Sequence, residues 1–156
     1  MAKDIIEIAR SIQSFYTNIL QKSDLTEMKM HKLLYFAQKK HYENFGEWLF
    51  EDDFQGWVHG PVNRKVRSSY FNIFVSEDST NLTLEEELTI REIIFEYGDY
   101  PAEVLSEMSH DEDAYKISRQ GLGPKEIGTR TIKKSDIIKD IITFDSDYSD
   151  ECEVRQ

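Results

Sequence analysis

A helix-forming stretch between Asp24 and Asn44 limits the possible folds more than any other part of the sequence. Two sets of side chains recur in it at helical spacings, each on its own side of the helix: Met30, Leu33, Leu34, Ala37 and His41 on one, and His31, Tyr35, Gln38 and Tyr42 on the other. A helix that is apolar on one side and aromatic and polar on another has to be covered on both sides. We therefore predict that this helix is the centre of the fold.

Capping signals mark the ends of this helix and of the helix before it. Asp24, with Glu27 three residues later, predicts an N-cap and its reciprocal acid, and Gly46 predicts a left-handed C-cap. An earlier apolar stripe starts at Ile5 and ends near Gln21, where the periodicity stops. The chain up to Gly46 is therefore expected to form two helices.

The stretch from Trp48 to Val58 is aromatic and rich in β-forming residues, with an acidic middle at residues 51–53. This pattern predicts a short extended segment or a hairpin. The dipeptide Gly60-Pro61 then predicts the start of a third helix, because proline suits the first helical turn.

Further helices are predicted in the second half of the chain. Thr83 and Glu86 form a capping box for a helix that ends near Tyr97, and Pro101 begins a short helix. Ser135 is the predicted N-cap of a last helix.

These elements predict a mainly α fold. We expect a single compact helical domain over residues 1–144, with one small β-hairpin or extended element between the second and third helices. Residues 145–156 contain five acids and one arginine, and this composition predicts a disordered acidic tail.

The chain carries 30 acidic and 19 basic side chains, for a net charge of −11. Such a surface repels phosphate backbones, so nucleic-acid binding is not expected. The excess of acidic side chains fits either a basic protein partner or solubility alone. The sequence shows no apolar stretch long enough to span a bilayer and no signal segment, so we expect a cytoplasmic protein. Cys152 is the single cysteine, which excludes a cysteine-based zinc cluster, and no metal or cofactor is predicted.

Three motifs follow one another along the chain. The first is Lys32-Leu33-Leu34-Tyr35-Phe36-Ala37-Gln38, and the second is Trp57-Val58-His59-Gly60-Pro61-Val62. The third is Leu105-Ser106-Glu107-Met108-Ser109-His110, followed by Tyr115 and Lys116. Together, over roughly residues 5–142, they resemble the Panacea domain of SocA-like antitoxins, which more often has tryptophan where Tyr115 stands.

The resemblance implies a mainly helical domain, found in bacterial toxin–antitoxin pairs and in phages, that is not an enzyme. It implies an antitoxin that neutralises a toxin, encoded by a neighbouring gene, through direct protein–protein contact. Two alternatives stay open within the binding class. One is an adaptor that delivers its partner to a Clp-type protease, and the other is a phage protein that binds a host factor.

The candidate partner-binding residues are aromatic or polar side chains on the central helix and in the second motif: His31, Tyr35, Gln38, Tyr42 and Trp57. The alternative is that these groups bond to neighbouring elements inside the domain. The other motif residues are expected to have structural roles: Lys32, Leu33, Leu34, Phe36, Ala37, Gly60, Pro61, Val62, Leu105, Ser106 and His110. The basic cluster Arg64, Lys65 and Arg67 fits a solvated face, or a contact with an acidic partner or nucleic acid.

An enzymatic alternative is a metal-dependent hydrolase built around His110 and the acids Asp111, Glu112 and Asp113. The sequence contains no H-E-x-x-H, H-x-H or cysteine pair that would supply the other half of such a site. It also contains no nucleophile elbow and no phosphate loop. No catalytic residue is predicted.

Overall fold

The computed structural model describes residues 3–75 and 81–142, and over these residues the protein is mainly helical. The helices, in chain order, are α1 (Ile5–Leu20), α2 (Glu27–Phe45), α3 (Arg64–Val75), α4 (Leu84–Tyr97), α5 (Ala102–His110), α6 (Asp113–Ser118) and α7 (residues 134–142). The predicted fold class is confirmed. The predicted domain 1–144 stays a prediction, and the predicted acidic tail 145–156 lies outside the described residues.

A small antiparallel sheet joins the helices in the strand order β2-β1-β3. Its strands are β1 (Phe54–Trp57), β2 (Gly60–Val62) and β3 (Thr131–Ile132). The β1–β2 hairpin lies between α2 and α3, as predicted. The third strand was not predicted, because two residues are too few to show the alternation by which a strand is recognised.

Helix α2 is the central helix, as its two stripes predict. Every residue from Lys29 to Gln38 is buried, including the charged and polar ones. The helix contacts α1 and α3, α4, α5 and strand β2, which explains why it has no solvent side over this stretch. Its C-cap is Gly46, in the left-handed conformation at φ 70°, as predicted.

The predicted N-cap of α2 is wrong by two residues. Thr26 caps the helix, because its side chain accepts the backbone N–H of Lys29. The Asp24 carboxylate instead accepts a hydrogen bond from the Tyr16 hydroxyl at 2.6 Å. Both Asp and Thr are good caps, and the tertiary contact with α1 decides between them.

The prediction that Gly60-Pro61 opens a helix is also wrong. Gly60 has φ 121° and pairs with Trp57 across the hairpin, and Pro61 pairs with Gly56, so Gly60 and Pro61 belong to β2. Proline is tolerated there because β2 is an edge strand. Helix α3 begins later, and Asn63 caps it by accepting the Val66 N–H at 2.9 Å.

The later helix starts agree more closely with prediction. Thr83 and Glu86 form both halves of the predicted capping box. Pro101 is the N-cap of α5, so the start near that residue is confirmed. Ser135 is not a cap, since the last helix already begins at residue 134 and Lys133 accepts its first hydrogen bonds.

Candidate partner-binding groove

An open groove of about 610 Å³ lies between the first turns of α2, the β-hairpin, the start of α3 and the loop at residues 127–129. We call it the Trp57 groove, after the side chain on its hairpin wall. Its size is within the range of sites that hold a small molecule or a few side chains of a partner.

The walls of the groove are mostly apolar. They are formed by Met28 on α2, by Trp57, Val58 and Val62 on the hairpin, and by Ile127 on the loop. Ile127 is 85% exposed and Met28 is also exposed, so the groove presents apolar surface to solvent on two sides. A concave, mostly apolar site with a few polar groups is a candidate binding site.

Lys32 lies at the floor of the groove with only 1% of its surface exposed. Its Nζ donates a hydrogen bond to the carbonyl oxygen of Pro61 at 3.2 Å, which is the one acceptor it contacts within the described part of the chain. Burial lowers the pKa of Lys32 to about 8, so the ammonium form still predominates at neutral pH. An ammonium group has three donors, and two of them have no protein acceptor there.

His31 stands beside Lys32 and is neutral at pH 7, since burial lowers its pKa to about 4. Its Nδ1 accepts the backbone N–H of Asn63 at 3.3 Å, so the ring hydrogen is on Nε2. That Nε2 donates to the Glu27 carboxylate at 3.1 Å. The hydrogen bonds of His31 are therefore used within the domain.

The rim of the groove is basic. The guanidinium groups of Arg64 and Arg67 lie 5.5 and 5.2 Å from the Trp57 ring centroid. Arg67 donates to Glu27 at 3.1 Å, whereas Arg64 donates to the neutral amide oxygen of Gln55 at 3.0 Å. Two arginines and Lys32 against one carboxylate leave the groove net positive on a chain of net charge −11.

The three sequence motifs meet behind this groove. Gly60 approaches Lys32 and Ser109 so closely that an added Cβ would lie 2.6 Å from the Lys32 Cε and 2.6 Å from the Ser109 Oγ. The Ser106 hydroxyl donates to the His59 carbonyl, and the Tyr115 hydroxyl donates to the Trp57 carbonyl. The apolar motif residues Leu33, Leu34, Phe36, Ala37, Val62 and Leu105 are buried. The motifs therefore hold the hairpin turn against α2 and α5.

The family model of the antitoxin SocA-like Panacea domain matches residues 30–116, which is more than half of the chain. The chain belongs to this family. The matched range is narrower than the resemblance stated from the sequence, but it includes all three motifs. Comparisons with curated proteins and with solved structures found no match.

Within this Panacea domain, the five predicted partner-binding residues occupy different places. His31 and Trp57 line the groove. Tyr35 and Gln38 are fully enclosed, and Gln38 bonds to the backbone of Leu49 and Phe50. Tyr42 is half-buried, with its ring stacked 4.3 Å from that of Trp48. Partner binding by this set of residues stays a prediction.

Several groove residues of the Panacea domain were not predicted as one site. The basic cluster is visible in the sequence, but only Arg64 and Arg67 of it reach the groove, whereas Lys65 pairs with Asp4. Met28 and Ile127 carry no local signal of function. They join the groove only because α2 and the 127–129 loop lie next to the hairpin.

The surroundings of His110 give no support to a metal-dependent hydrolase. Its ring is stacked on Tyr115 at 4.9 Å, and burial lowers its pKa. The Glu112 carboxylate binds Lys39 at 2.7 and 3.0 Å and is thereby held at α2. No group of three or more His, Cys, Asp or Glu side chains suited to a metal ion occurs in residues 3–75 and 81–142.

No helix in the described ranges is both long enough and apolar enough to cross a bilayer. Helix α2 shows why: it has 19 residues but carries lysines and acids along its length.

Proposed function

We propose that this protein is an antitoxin that binds a protein toxin encoded by a neighbouring gene and neutralises it by direct contact. The observation that supports this most is the family match, which covers the central helix, the hairpin and α5. The match identifies a domain of antitoxins, and it does not specify the toxin.

The geometry of the domain supports a binding role for a preformed surface. The hairpin is fixed by the Ser106 and Tyr115 hydroxyls and by Lys32, so the groove in front of it needs little ordering when a partner arrives. Surfaces that are ordered in advance lose less conformational entropy on binding. The net charge of −11 assists encounter with a basic toxin.

Toxicity rescue tests this proposal directly. The neighbouring gene is expressed alone, with this chain, and with a version of this chain stopped at its first codons, and growth is compared. We expect arrest in the first and third cultures and growth in the second. A neighbouring product that is harmless alone, or that stays toxic with the intact chain, contradicts the antitoxin role.

Two further measurements define how neutralisation occurs. Co-purification and size-exclusion chromatography establish whether the two proteins form a stoichiometric complex. The half-life of the toxin, followed with and without a Clp-type protease, separates inhibition by direct contact from delivery of the toxin to the protease. A toxin that is stable in the complex indicates inhibition by contact, and rapid protease-dependent loss indicates an adaptor.

A further inference from the structure

We propose that the Trp57 groove binds an acidic segment of the protein partner, with an apolar side chain between Met28, Trp57 and Ile127 and carboxylates on Lys32 and Arg64. The inference rests on the proposed function, since it names the chemistry of the toxin segment that this antitoxin would hold.

The first argument is the state of Lys32. It is the only lysine at the floor of the described groove, and its Nζ has a single carbonyl acceptor at 3.2 Å. A buried ammonium group with unused donors carries a desolvation cost that a further acceptor would reduce. A carboxylate supplies both the acceptor atoms and the opposite charge.

The second argument is the rim. Arg67 already pairs with Glu27, but Arg64 meets only the neutral Gln55 amide and the Trp57 ring. Its guanidinium is therefore held in place without a carboxylate in the described structure. A planar guanidinium fixed against an aromatic ring is well suited to a bidentate contact with an incoming acid.

The third argument is local charge complementarity at the groove. The protein is strongly acidic, yet this one apolar groove carries a net positive set of side chains. Two separate cationic positions, at the floor and at the rim, match a segment with two carboxylates better than a single terminal carboxylate. The apolar walls between them match the side chain that separates those acids.

A defined pair of peptides tests the chemistry without requiring the toxin. The probes are acetyl-Gly-Asp-Leu-Glu-Gly-amide and its neutral counterpart, acetyl-Gly-Asn-Leu-Gln-Gly-amide. Trp48→Phe leaves Trp57 as the only tryptophan, so its emission reports occupancy of the groove. We expect the acidic peptide to bind about tenfold more tightly than the neutral one. Equal binding of the two, or no binding of either, overturns the inference.

Matched variants then locate the contact. Arg64→Glu and Met28→Asp are expected to weaken binding of the acidic peptide about tenfold. Arg91→Glu is the control, because Arg91 is also exposed and lies 5.0 Å from an aromatic ring, that of Phe15 on α1, but it is outside the groove. Equal losses in Arg64→Glu and Arg91→Glu would show that only overall charge is sensed.

The chain's own acidic residues 145–156 are the competing occupant. Changing Asp147, Asp150, Glu151 and Glu153 to their amides in the full chain tests this. If the peptide binds only after that change, the groove is filled by the chain itself and the choice of a partner segment is wrong. Binding that is unaltered supports the partner.

The toxin complex separates the two proposals. If the neighbouring product binds and Arg64→Glu with Met28→Asp leaves its affinity unchanged, the groove inference fails and the antitoxin role stands. If that product does not bind but the acidic peptide does, the antitoxin role fails and the chemistry of the groove stands. Loss of toxin binding in the groove variants, with Arg91→Glu unaffected, supports both.

Discussion

Lys32 on the central helix donates a hydrogen bond to the Pro61 carbonyl oxygen on strand β2, 29 residues further along the chain. The contact attaches the hairpin to α2 and at the same time places a buried ammonium group at the floor of the Trp57 groove. Gly60 makes the approach possible, because no side chain stands between the strand and the lysine. A structural contact and a candidate recognition site therefore share one side chain.

The approach of Gly60 to Lys32 predicts that Gly60→Ala is strongly destabilising. An alanine there would adopt φ 121° and would place its Cβ 2.6 Å from both Lys32 and Ser109. We expect a loss of about 2–4 kcal/mol in the free energy of unfolding, measured by urea denaturation. Gly123→Ala is the control, because nothing lies within 4 Å of its Cβ position. Similar losses in the two variants would contradict this account.

Replacing the buried amide of Gln38 is expected to have a second large effect on stability. Its amide donates to the Phe50 carbonyl at 2.7 Å and accepts from the Leu49 and Phe50 N–H groups at 2.8 and 3.2 Å. Gln38→Leu leaves these buried backbone groups without partners and should cost about 2–4 kcal/mol. Gln120→Leu, at an exposed position, should change the free energy of unfolding by less than about 0.5 kcal/mol. If Gln38→Leu is as well tolerated as the control, the amide is not needed to hold this segment.

Because Lys32 is buried, the free energy of unfolding is expected to rise at alkaline pH. Burial lowers its pKa from 10.5 to about 8, so between these values the unfolded chain binds more protons and stability increases with pH. Lys32→Met removes this contribution while it keeps a long, flexible side chain. From pH 7 to pH 9.5, the stability of the wild type relative to Lys32→Met should rise by about 2 kcal/mol. A difference that stays constant over this range would show that Lys32 has an ordinary pKa.

His31 predicts a loss of stability in mild acid. Its folded-state pKa of about 4 is below the usual 6.5, because the ring is buried. As pH falls below 6.5, the unfolded chain takes up a proton that the folded chain resists, so stability decreases until about pH 4. The chemical shifts of the His31 ring protons should still be those of the neutral ring at pH 5.5. In His31→Gln, the free energy of unfolding should fall less steeply between pH 6.5 and pH 4. Titration of His31 near pH 6.5 would contradict this.

Much of the fold was predictable because the sequence signals of a helix lie within the helix itself and at its caps. The apolar spacing along α1 and α2 follows the helical period, and the Thr83–Glu86 capping box and Gly46 make hydrogen bonds within a few residues. The three motifs were sufficient to indicate the family, which the match over residues 30–116 confirmed. These features can be recognised in the sequence because their partners lie close by in the chain.

The errors lie where two local choices were equally good. Asp24 and Thr26 are both suitable caps, and the hydroxyl of Tyr16 engages Asp24. Gly60-Pro61 suits either a helix start or an edge strand, and pairing with β1 selects the strand. In both cases a contact with a distant part of the chain supplies the free-energy difference that the local sequence lacks.

Local patterns in the sequence were enough to predict the helical class, the central position of α2, the hairpin between α2 and α3, and the family. The tertiary structure decided which side chains form one site. Met28, Trp57, Arg64 and Ile127 are separated by as many as 99 positions in the chain, and they share the groove only because the elements that carry them pack side by side. Periodicity and capping depend on neighbours in sequence, whereas a binding surface depends on neighbours in space, and only the folded chain brings those together.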